Sequence, residues 1–233
     1  MIPGACGADA MVDLVIFDCD GVLIDSEIIS ARMLVQELAA LGVRIDLAYV
    51  ARHFLGRSYP TVMAQIRREF GLDLPAAFED QYRERLLEEF GRSLRVMPGV
   101  TEVLDALAVP FCVATSSSPR RAAMSLRLTG LADRVGDRLF TATQVDRGKP
   151  APDLFLFAAA QMGVDPARAL VIEDSLTGLR AGQAADMTVW HFTGGSHFTQ
   201  RDPSQDVAPD PAPHWRFDDF AQFFQTVPGL RRA

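Results

Sequence analysis

The apolar residues of this chain follow two patterns that alternate along much of its length. Short runs rich in Val, Ile, Leu and Phe, without helical spacing, predict buried strands at 12–17, 111–114, 169–172 and 187–192, with a weaker run near 138–141. Helical spacing separates these runs, at 99–108, 119–129, 152–163 and 176–185. Strands that alternate with helices favour an α/β fold with a doubly wound, Rossmann-like parallel sheet and right-handed crossovers.

One region after the first strand shows helical spacing alone. Helices are predicted at about 26–42, 46–55, 59–70 and 75–90, with no strand pattern between them. Consecutive helices with short connections predict an all-helical bundle inserted between two parts of the sheet. We therefore expect a core of residues 11–25 and 95–233, interrupted by a helical domain of residues 26–94.

The residue composition changes at the start of the C-terminal segment. Residues 193–216 are rich in Gly and Pro and poor in apolar side chains, which predicts a long loop. Aromatic residues then return at strand and helix spacing, and we expect them to belong to the core: Trp215, Phe217, Phe220, Phe223 and Phe224.

Composition narrows the class of protein. With 48% hydrophobic and 23% charged residues, the 233-residue chain is typical of a soluble globular protein. A formal charge of −7 without any Lys/Arg run argues against a nucleic-acid or anionic-membrane partner. Three cysteines without metal-site spacing favour buried thiols in a reducing compartment. We expect a cytoplasmic protein, with a monomer favoured.

The sequence before the first strand carries no targeting signal. The first ten residues contain no Lys or Arg and no long apolar segment, unlike a signal peptide. No later stretch reaches the ~18 apolar residues of a membrane span. Because Met11 directly precedes the first strand, we expect translation to start there.

Two acids, Asp18 and Asp20, follow the first predicted strand directly. In open parallel sheets, ligands bind at the carboxyl ends of the strands, where these acids would lie. Two carboxylates beside a buried strand repel each other and resist desolvation, so a cation is expected between them. A hard divalent ion is the obvious candidate, although Asp-x-Asp-Gly also forms ordinary acidic turns.

Two further polar clusters follow strands at the same predicted edge. Thr115 and Ser116 offer a hydroxyl and an N–H group to an anion, although TSSSP is also a helix-capping sequence. Glu173 and Asp174 close an aliphatic strand, where adjacent acids are costly unless they bind a cation or hydrogen-bond donors. Oxygen ligands without nearby His or Cys favour Mg²⁺ over Zn²⁺. Asp174 is also a candidate N-cap of the next helix.

Lys149 is distinguished by composition, since the chain contains 22 Arg and a single Lys. A chain so rich in Arg places Lys where a compact ammonium is needed, for example against a phosphoryl oxygen that a planar guanidinium would not fit. The alternative is a solvated Lys before a Pro turn.

The segment DCDGVLIDSE after an apolar strand resembles the opening signature of the haloacid dehalogenase-like hydrolase superfamily. It is most similar to the branch of β-phosphoglucomutase-like proteins and sugar-phosphate phosphatases with a helical cap, and the four polar clusters occur in the order of that superfamily's four motifs. The resemblance implies that Asp18 is a nucleophile that forms an aspartyl-phosphate and that Asp20 is the general acid/base.

The resemblance also implies the remaining roles at the site. Thr115, the Ser116 N–H and Lys149 would hold the phosphoryl oxygens. The Mg²⁺ ligands would be the Asp18 carboxylate, the Asp20 carbonyl, Asp174 and Glu173. The acid Asp20 favours phosphate over carbon–halogen chemistry, and the absence of Lys from the cap disfavours the Schiff-base chemistry of phosphonate-cleaving relatives.

The expected function is Mg²⁺-dependent hydrolysis of a small phosphorylated metabolite, a sugar or sugar-acid phosphate. The mutase pattern has a His where this chain has Ser30, and an Arg where it has Tyr59, so hydrolysis is favoured over the alternative of a sugar phosphomutase. A catalytically inactive binding module is a remote alternative. Substrate selectivity is expected to come from cap residues, which we predict to be Glu27, Arg57, Ser58 and Tyr59.

Overall fold

The computed structural model describes residues 12–54, 57, 59–72, 77–199, 210 and 212–232. Its centre is a six-stranded parallel sheet with the strand order β3-β2-β1-β4-β5-β6. The strands are β1 Leu14–Phe17, β2 Phe111–Thr115, β3 Leu139–Thr141, β4 Ala169–Glu173, β5 Thr188–Phe192 and β6 Trp215–Phe217. This arrangement confirms the predicted α/β, doubly wound fold.

The eight predicted helices are present with their ends shifted by a few residues, and three short α-helices among the described residues were not predicted. The first four helices after β1 are called the cap helices: α1 Glu27–Ala40, α2 Leu47–His53, α3 Tyr59–Phe70 and α4 Phe78–Ser93. The others are α5 Val100–Ala106, α6 Pro119–Leu128, α7 Ala132–Val135, α8 Asp153–Gln161, α9 Leu176–Ala184, α10 Ser196–Thr199 and α11 Phe223–Thr226.

Burial explains why each pattern gives its element. All four residues of β1 are buried, because β1 is the central strand and is covered on both faces, which is why its sequence is a continuous apolar run. In α4 the buried residues are Phe78, Tyr82, Leu86 and Phe90. Their spacing of four places them on one side of the helix, the side that packs into the core.

The C-terminal segment differs from the predicted loop. Residues 193–216 include α10 and the first residues of β6, an edge strand in which Trp215 lies opposite Trp190 of β5. Residues 200–209 and 211 lie outside the described residues. The predicted aromatic core is confirmed, since Phe217, Phe220 and Phe223 are buried, and Trp215 and Phe224 pack against them.

The two chain segments that connect the cap helices to the sheet run side by side. Ile24 and Val96 form an antiparallel bridge, and the Asp25 N–H donates to the Arg95 carbonyl at 3.0 Å. The Asp25 carboxylate also accepts hydrogen bonds from the backbone N–H and hydroxyl of Ser196. The cap helices are thus anchored beside the carboxyl end of β1. Among the described residues, no helix is both long and apolar enough to span a membrane.

Candidate active site

A cavity of about 510 Å³ lies between the carboxyl ends of the strands and the cap helices. Its sheet side carries the predicted residues Asp18, Asp20, Thr115, Ser116, Lys149 and Glu173. The cap helices and the segments between them contribute Glu27, Arg57 and Tyr59 together with apolar side chains such as Leu34, Phe54 and Leu86. Ser58 lies outside the described residues. Residues from four distant parts of the sequence therefore meet in one cavity.

Lys149 lies at the centre of the sheet side. Its Nζ donates to Asp18 Oδ1 at 2.6 Å, to Glu173 Oε1 at 2.5 Å and to the Ala114 carbonyl at 2.9 Å. These bonds use all three ammonium donors of a side chain that is 1% exposed. Burial opposes the charge, but the Asp18 and Glu173 carboxylates outweigh it and raise the pKa of Lys149. Lys149 is a fixed buried cation rather than a solvated surface residue.

Glu173 is held by hydrogen-bond donors on both carboxylate oxygens. Oε1 accepts from Lys149, while Oε2 accepts from the N–H groups of Asp174 and Ser175 and from the Ser175 hydroxyl at 2.9–3.1 Å. Gly178 in the first turn of α9 makes room for this carboxyl group, because a Cβ there would lie 1.8 Å from the Glu173 carboxyl carbon. The contacts indicate that Glu173 chiefly positions Lys149.

Three buried acids are placed to hold a cation. Asp18, Glu173 and Asp174 each offer a carboxylate oxygen, and these oxygens lie within 4.8 Å of one another. Burial raises the pKa of Asp18 well above its usual range; Lys149 opposes this shift, and the neighbouring acids add to it. A divalent cation would relieve the charge imbalance, and oxygen ligands fit Mg²⁺. Because Glu173 is already occupied by donors, Asp18 and Asp174 are better placed as direct ligands.

Asp174 is enclosed by parts of the chain that are distant in sequence. Its Oδ2 lies 3.2 Å from His197 Nε2, and both side chains are almost fully buried. Its backbone carbonyl lies 3.1 Å from His191 Nε2. Gly21 packs so closely that a Cβ there would lie 2.0 Å from Asp174 Oδ2. The DxDG turn therefore needs glycine to let Asp174 approach Asp18.

Asp20 receives four hydrogen bonds. Oδ1 accepts from the Ser26 hydroxyl at 2.6 Å and from Arg121 Nη2 at 2.8 Å. Oδ2 accepts from the Ser117 hydroxyl at 2.6 Å and from the Thr115 hydroxyl at 3.4 Å. Burial alone would raise the pKa of Asp20, but the Arg121 charge and the hydroxyl donors outweigh it and lower this pKa. Asp20 is consequently held as a carboxylate.

The polar side chains at the starts of α1, α6 and α9 have different roles. Neither Asp25 nor Ser26 caps α1 through its side chain: Asp25 binds Ser196, and Ser26 binds Asp20 instead. The TSSSP segment serves two purposes, since Ser118 caps α6 while Thr115 and Ser117 face Asp20. The N-cap of α9 is Ser175, and not Asp174 as the sequence had also allowed.

Sequence reasoning missed three side chains at this site, Arg121, Ser117 and His197. Arg121 is one of 22 arginines, and its spacing in α6 does not mark it. Ser117 lies in the predicted hydroxyl cluster, which could have indicated it. His197 lies on α10, which brings it to Asp174, a contact that spacing in the sequence does not reveal.

The cap side carries fewer polar groups. Burial, followed by the nearby Asp20 and Asp174 charges, raises the pKa of Glu27 to about 7. The Tyr59 hydroxyl is buried without a hydrogen-bond partner among the described residues, and its ring stacks on Tyr82 at 5.2 Å. Arg57 donates to Gln65 at 2.9 Å. Among the described residues, the Tyr59 hydroxyl thus has unused hydrogen-bonding capacity in the cavity.

Comparisons with known proteins agree with this geometry. A model of the haloacid dehalogenase-like hydrolases matches residues 12–186. The 6-phosphogluconate phosphatase of Escherichia coli (strain K12) is 29% identical over 187 residues, which cover 80% of this chain and 85% of that protein. The phosphorylated carbohydrates phosphatase of Thermotoga maritima is 30% identical over 183 residues, covering 75% of this chain and 82% of that protein.

A solved structure gives the same result for the fold. The crystal structure of a HAD family hydrolase from Deinococcus radiodurans R1, with bound phosphate and sodium, matches with a TM-score of 0.75 and 34% sequence identity. The match covers 96% of this chain and 99% of that one. The family model spans well over half of the sequence and includes all four polar clusters. The chain therefore belongs to the haloacid dehalogenase-like hydrolases.

Proposed function

We propose that this phosphatase hydrolyses the phosphomonoester of a small sugar or sugar-acid phosphate through an aspartyl-phosphate on Asp18. The observation that carries the proposal is the buried Lys149 ammonium, which lies 2.6 Å from Asp18 in a cavity that Asp20 also lines. A carboxylate can approach a negatively charged phosphate only where cations offset the repulsion. The names of the curated relatives, both phosphatases of phosphorylated sugars or sugar acids, support the same substrate class.

The first step transfers the phosphoryl group. An Asp18 oxygen attacks phosphorus and forms a new O–P bond while the bond from phosphorus to the substrate oxygen breaks. Asp20, a carboxylate before substrate binds, takes up a proton with the arriving phosphate monoanion and donates it to the departing alkoxide. The phosphoryl oxygens, on which negative charge is spread in the transition state, are bound by Lys149, the Thr115 hydroxyl and the Ser116 N–H.

The second step releases phosphate. Asp20, now a carboxylate, accepts a proton from a water molecule whose oxygen attacks phosphorus, and the bond to Asp18 breaks. Asp20 then loses this proton to the released phosphate, so both side chains return to their starting states. The Asp20 carboxylate bound by Arg121 and three hydroxyl groups corresponds to the basic form that this second step requires.

A divalent cation fits the acidic end of the cavity. We propose that Asp18, the Asp20 carbonyl and Asp174 hold Mg²⁺, with Glu173 in support through Lys149. The bound ion would supply positive charge to the phosphoryl oxygens. Without it, three buried carboxylates face one ammonium.

We further propose that residues 26–94 act as a cap that selects the substrate through Glu27, Arg57, Ser58 and Tyr59. Hydrolysis is favoured over phosphomutase chemistry because the position of the mutase His is filled by Ser30. Its hydroxyl accepts a hydrogen bond from Arg121 at 3.2 Å and donates to the Ser26 carbonyl at 3.0 Å. A hydroxyl held in this way is a poor proton shuttle at neutral pH.

Phosphate release from a panel of substrates tests this function. Sugar phosphates, sugar-acid phosphates and phosphoglycolate should be incubated with the protein and Mg²⁺, with chelator in a parallel series. We expect Mg²⁺-dependent release that is greatest for one sugar or sugar-acid phosphate. Conversion of a sugar phosphate into its isomer, detected by chromatography, would favour the mutase. The absence of release from every compound would favour an inactive binding module.

The metal site predicts a Mg²⁺-dependent gain in stability. Binding to the folded state alone should stabilise it by about 2.7 kcal/mol when the free ion is at a hundred times its Kd. We expect Asp174→Ala to reduce the rise in melting temperature with Mg²⁺, and to raise the melting temperature of the metal-free protein by removing one crowded charge. Differential scanning calorimetry with and without Mg²⁺ measures both effects.

The exposed Asp133 supplies the matched control, and Asp133→Ala should respond to Mg²⁺ as the wild type does. Ca²⁺ should also stabilise the wild type but should not support turnover, since its longer bonds and looser coordination misplace the nucleophile. An unchanged Mg²⁺ response in Asp174→Ala would show that the metal binds elsewhere.

A further inference from the structure

Arg121 makes contacts that no sequence motif predicts. Its Nη2 lies 2.8 Å from Asp20 Oδ1 and 3.2 Å from the Ser30 hydroxyl, and its guanidinium lies 5.3 Å from the centre of the Phe90 ring. Its Nε is buried and has no hydrogen-bond acceptor among the described residues. The Arg121 guanidinium therefore binds Asp20 and Ser30 through the same nitrogen, Nη2. Among the described residues, no second carboxylate forms a salt bridge with it.

These contacts connect separate elements of the fold. Arg121 belongs to α6, and its own backbone N–H donates to the helix N-cap Ser118. Ser30 lies on α1 and Phe90 on α4, two of the cap helices. Asp20 follows β1 at the centre of the sheet. The Arg121 side chain thus connects Asp20, the proposed acid/base, to the two cap helices α1 and α4.

Arg121 differs in kind from the other groups that bind Asp20. The remaining donors are the hydroxyls of Ser26, Ser117 and Thr115, which rotate and can exchange one acceptor for another. The guanidinium is planar and charged, and packing against Phe90 restricts it further. Among the described residues it is the charged donor that fixes the direction of the Asp20 carboxylate.

We propose that Arg121 is a positioning residue for Asp20, which ties the orientation of the carboxylate to the cap helices α1 and α4. This inference rests on the proposed function, because it assumes that Asp20 exchanges protons with the substrate oxygen. Arg121 itself does not contact the transferred phosphoryl group in this role. Its effect on catalysis passes through Asp20, and that dependence can be measured.

Substrates with different leaving groups distinguish a positioning role of Arg121 from a general structural role. An alkyl phosphate such as 6-phosphogluconate needs a proton on its departing oxygen, whereas p-nitrophenyl phosphate releases a stable anion. Since kcat/KM reports the steps up to the first irreversible one, it isolates the donation of that proton. We expect Arg121→Met to reduce kcat/KM for the alkyl phosphate at least about tenfold more than for p-nitrophenyl phosphate, as general acid catalysis contributes a factor of this size or larger.

A double-mutant cycle tests whether the effect passes through Asp20. Asp20→Asn should show the same dependence on the leaving group, and adding Arg121→Met to it should change kcat/KM by less than about twofold. Arg121→Lys keeps the charge but not the planar fork, and should restore part of the loss. The control is Arg127→Met, an equal change of charge at an exposed position of the same helix, which should behave as the wild type.

The possible outcomes are distinct. Equal losses on both substrates, or a full Arg121→Met effect in the Asp20→Asn background, would overturn the positioning role. If Arg121→Met does not fold, as judged by circular dichroism, Arg121→Lys alone must show the dependence on the leaving group. A wild-type protein that releases phosphate from neither substrate would contradict the proposed function itself.

Discussion

Asp18→Asn should abolish turnover while the protein stays folded. The amide preserves the shape of the side chain but cannot attack phosphorus, and loss of a covalent nucleophile lowers kcat on the order of 10⁴-fold or more. Asp18 is buried at the end of the central strand and carries a raised pKa, so the neutral amide should also remove electrostatic strain. Phosphate release under single-turnover conditions, together with the melting temperature, measures both effects.

The exposed Asp137 gives a matched control for this change. Asp137→Asn removes the same charge from the loop before β3 and should keep wild-type kinetics. Asp20→Asn adds a second comparison, because it should be slow but should trap phosphate on Asp18, which acid-quenched labelling would detect. Turnover by Asp18→Asn within tenfold of the wild type would disprove the assignment of the nucleophile.

The second large effect is expected from Lys149→Arg, which keeps the charge. All three ammonium hydrogens of Lys149 are bound within 2.9 Å, and the Phe155 ring lies 4.7 Å from Nζ. A guanidinium is larger and planar, and would have to displace Asp18 or Glu173 to fit. We expect kcat/KM to fall by one or more orders of magnitude, each corresponding to about 1.4 kcal/mol of lost transition-state stabilisation.

The reverse exchange two residues away is the control. Arg147 is exposed and pairs with Asp153 at 2.7 Å, so Arg147→Lys should leave turnover and folding unchanged. Steady-state kinetics on the best substrate of the panel, with circular dichroism for each variant, provide the comparison. Wild-type kinetics in Lys149→Arg would mean that the ammonium is not required next to the nucleophile.

The parts of the fold that sequence predicts best are those in which one local pattern determines the environment. The sequences of β1 and β4 predict strands because both faces of each strand are buried and apolar. The sequence of α4 predicts a helix because its buried residues form one apolar stripe. The strand β6 was not predicted to begin at Trp215, since it follows a Pro-rich segment and pairs only along one edge. Its formation depends on tertiary pairing with β5 rather than on its own residues.

At the candidate site, too, some residues could be predicted from the sequence and others could not. The topology of a parallel sheet gathers the residues at the carboxyl ends of its strands. This made six site residues predictable: Asp18, Asp20, Thr115, Lys149, Glu173 and Asp174. Arg121 and His197 were not found, because they reach the acids from α6 and α10, and the angle at which a helix presents one side chain is not encoded by spacing.

The order of strands in the sheet has a consequence for biosynthesis. β1 is the first of the described strands to leave the ribosome, yet its partners begin at Phe111 in β2 and Ala169 in β4. At about 5–20 residues per second, the nascent chain carries an apolar, unpaired segment for on the order of 10 s before β4 is made. The cap helices depend on nearer contacts and can form during this interval. The strand that precedes the proposed nucleophile is therefore an aggregation-prone segment of the nascent chain until its partners are made.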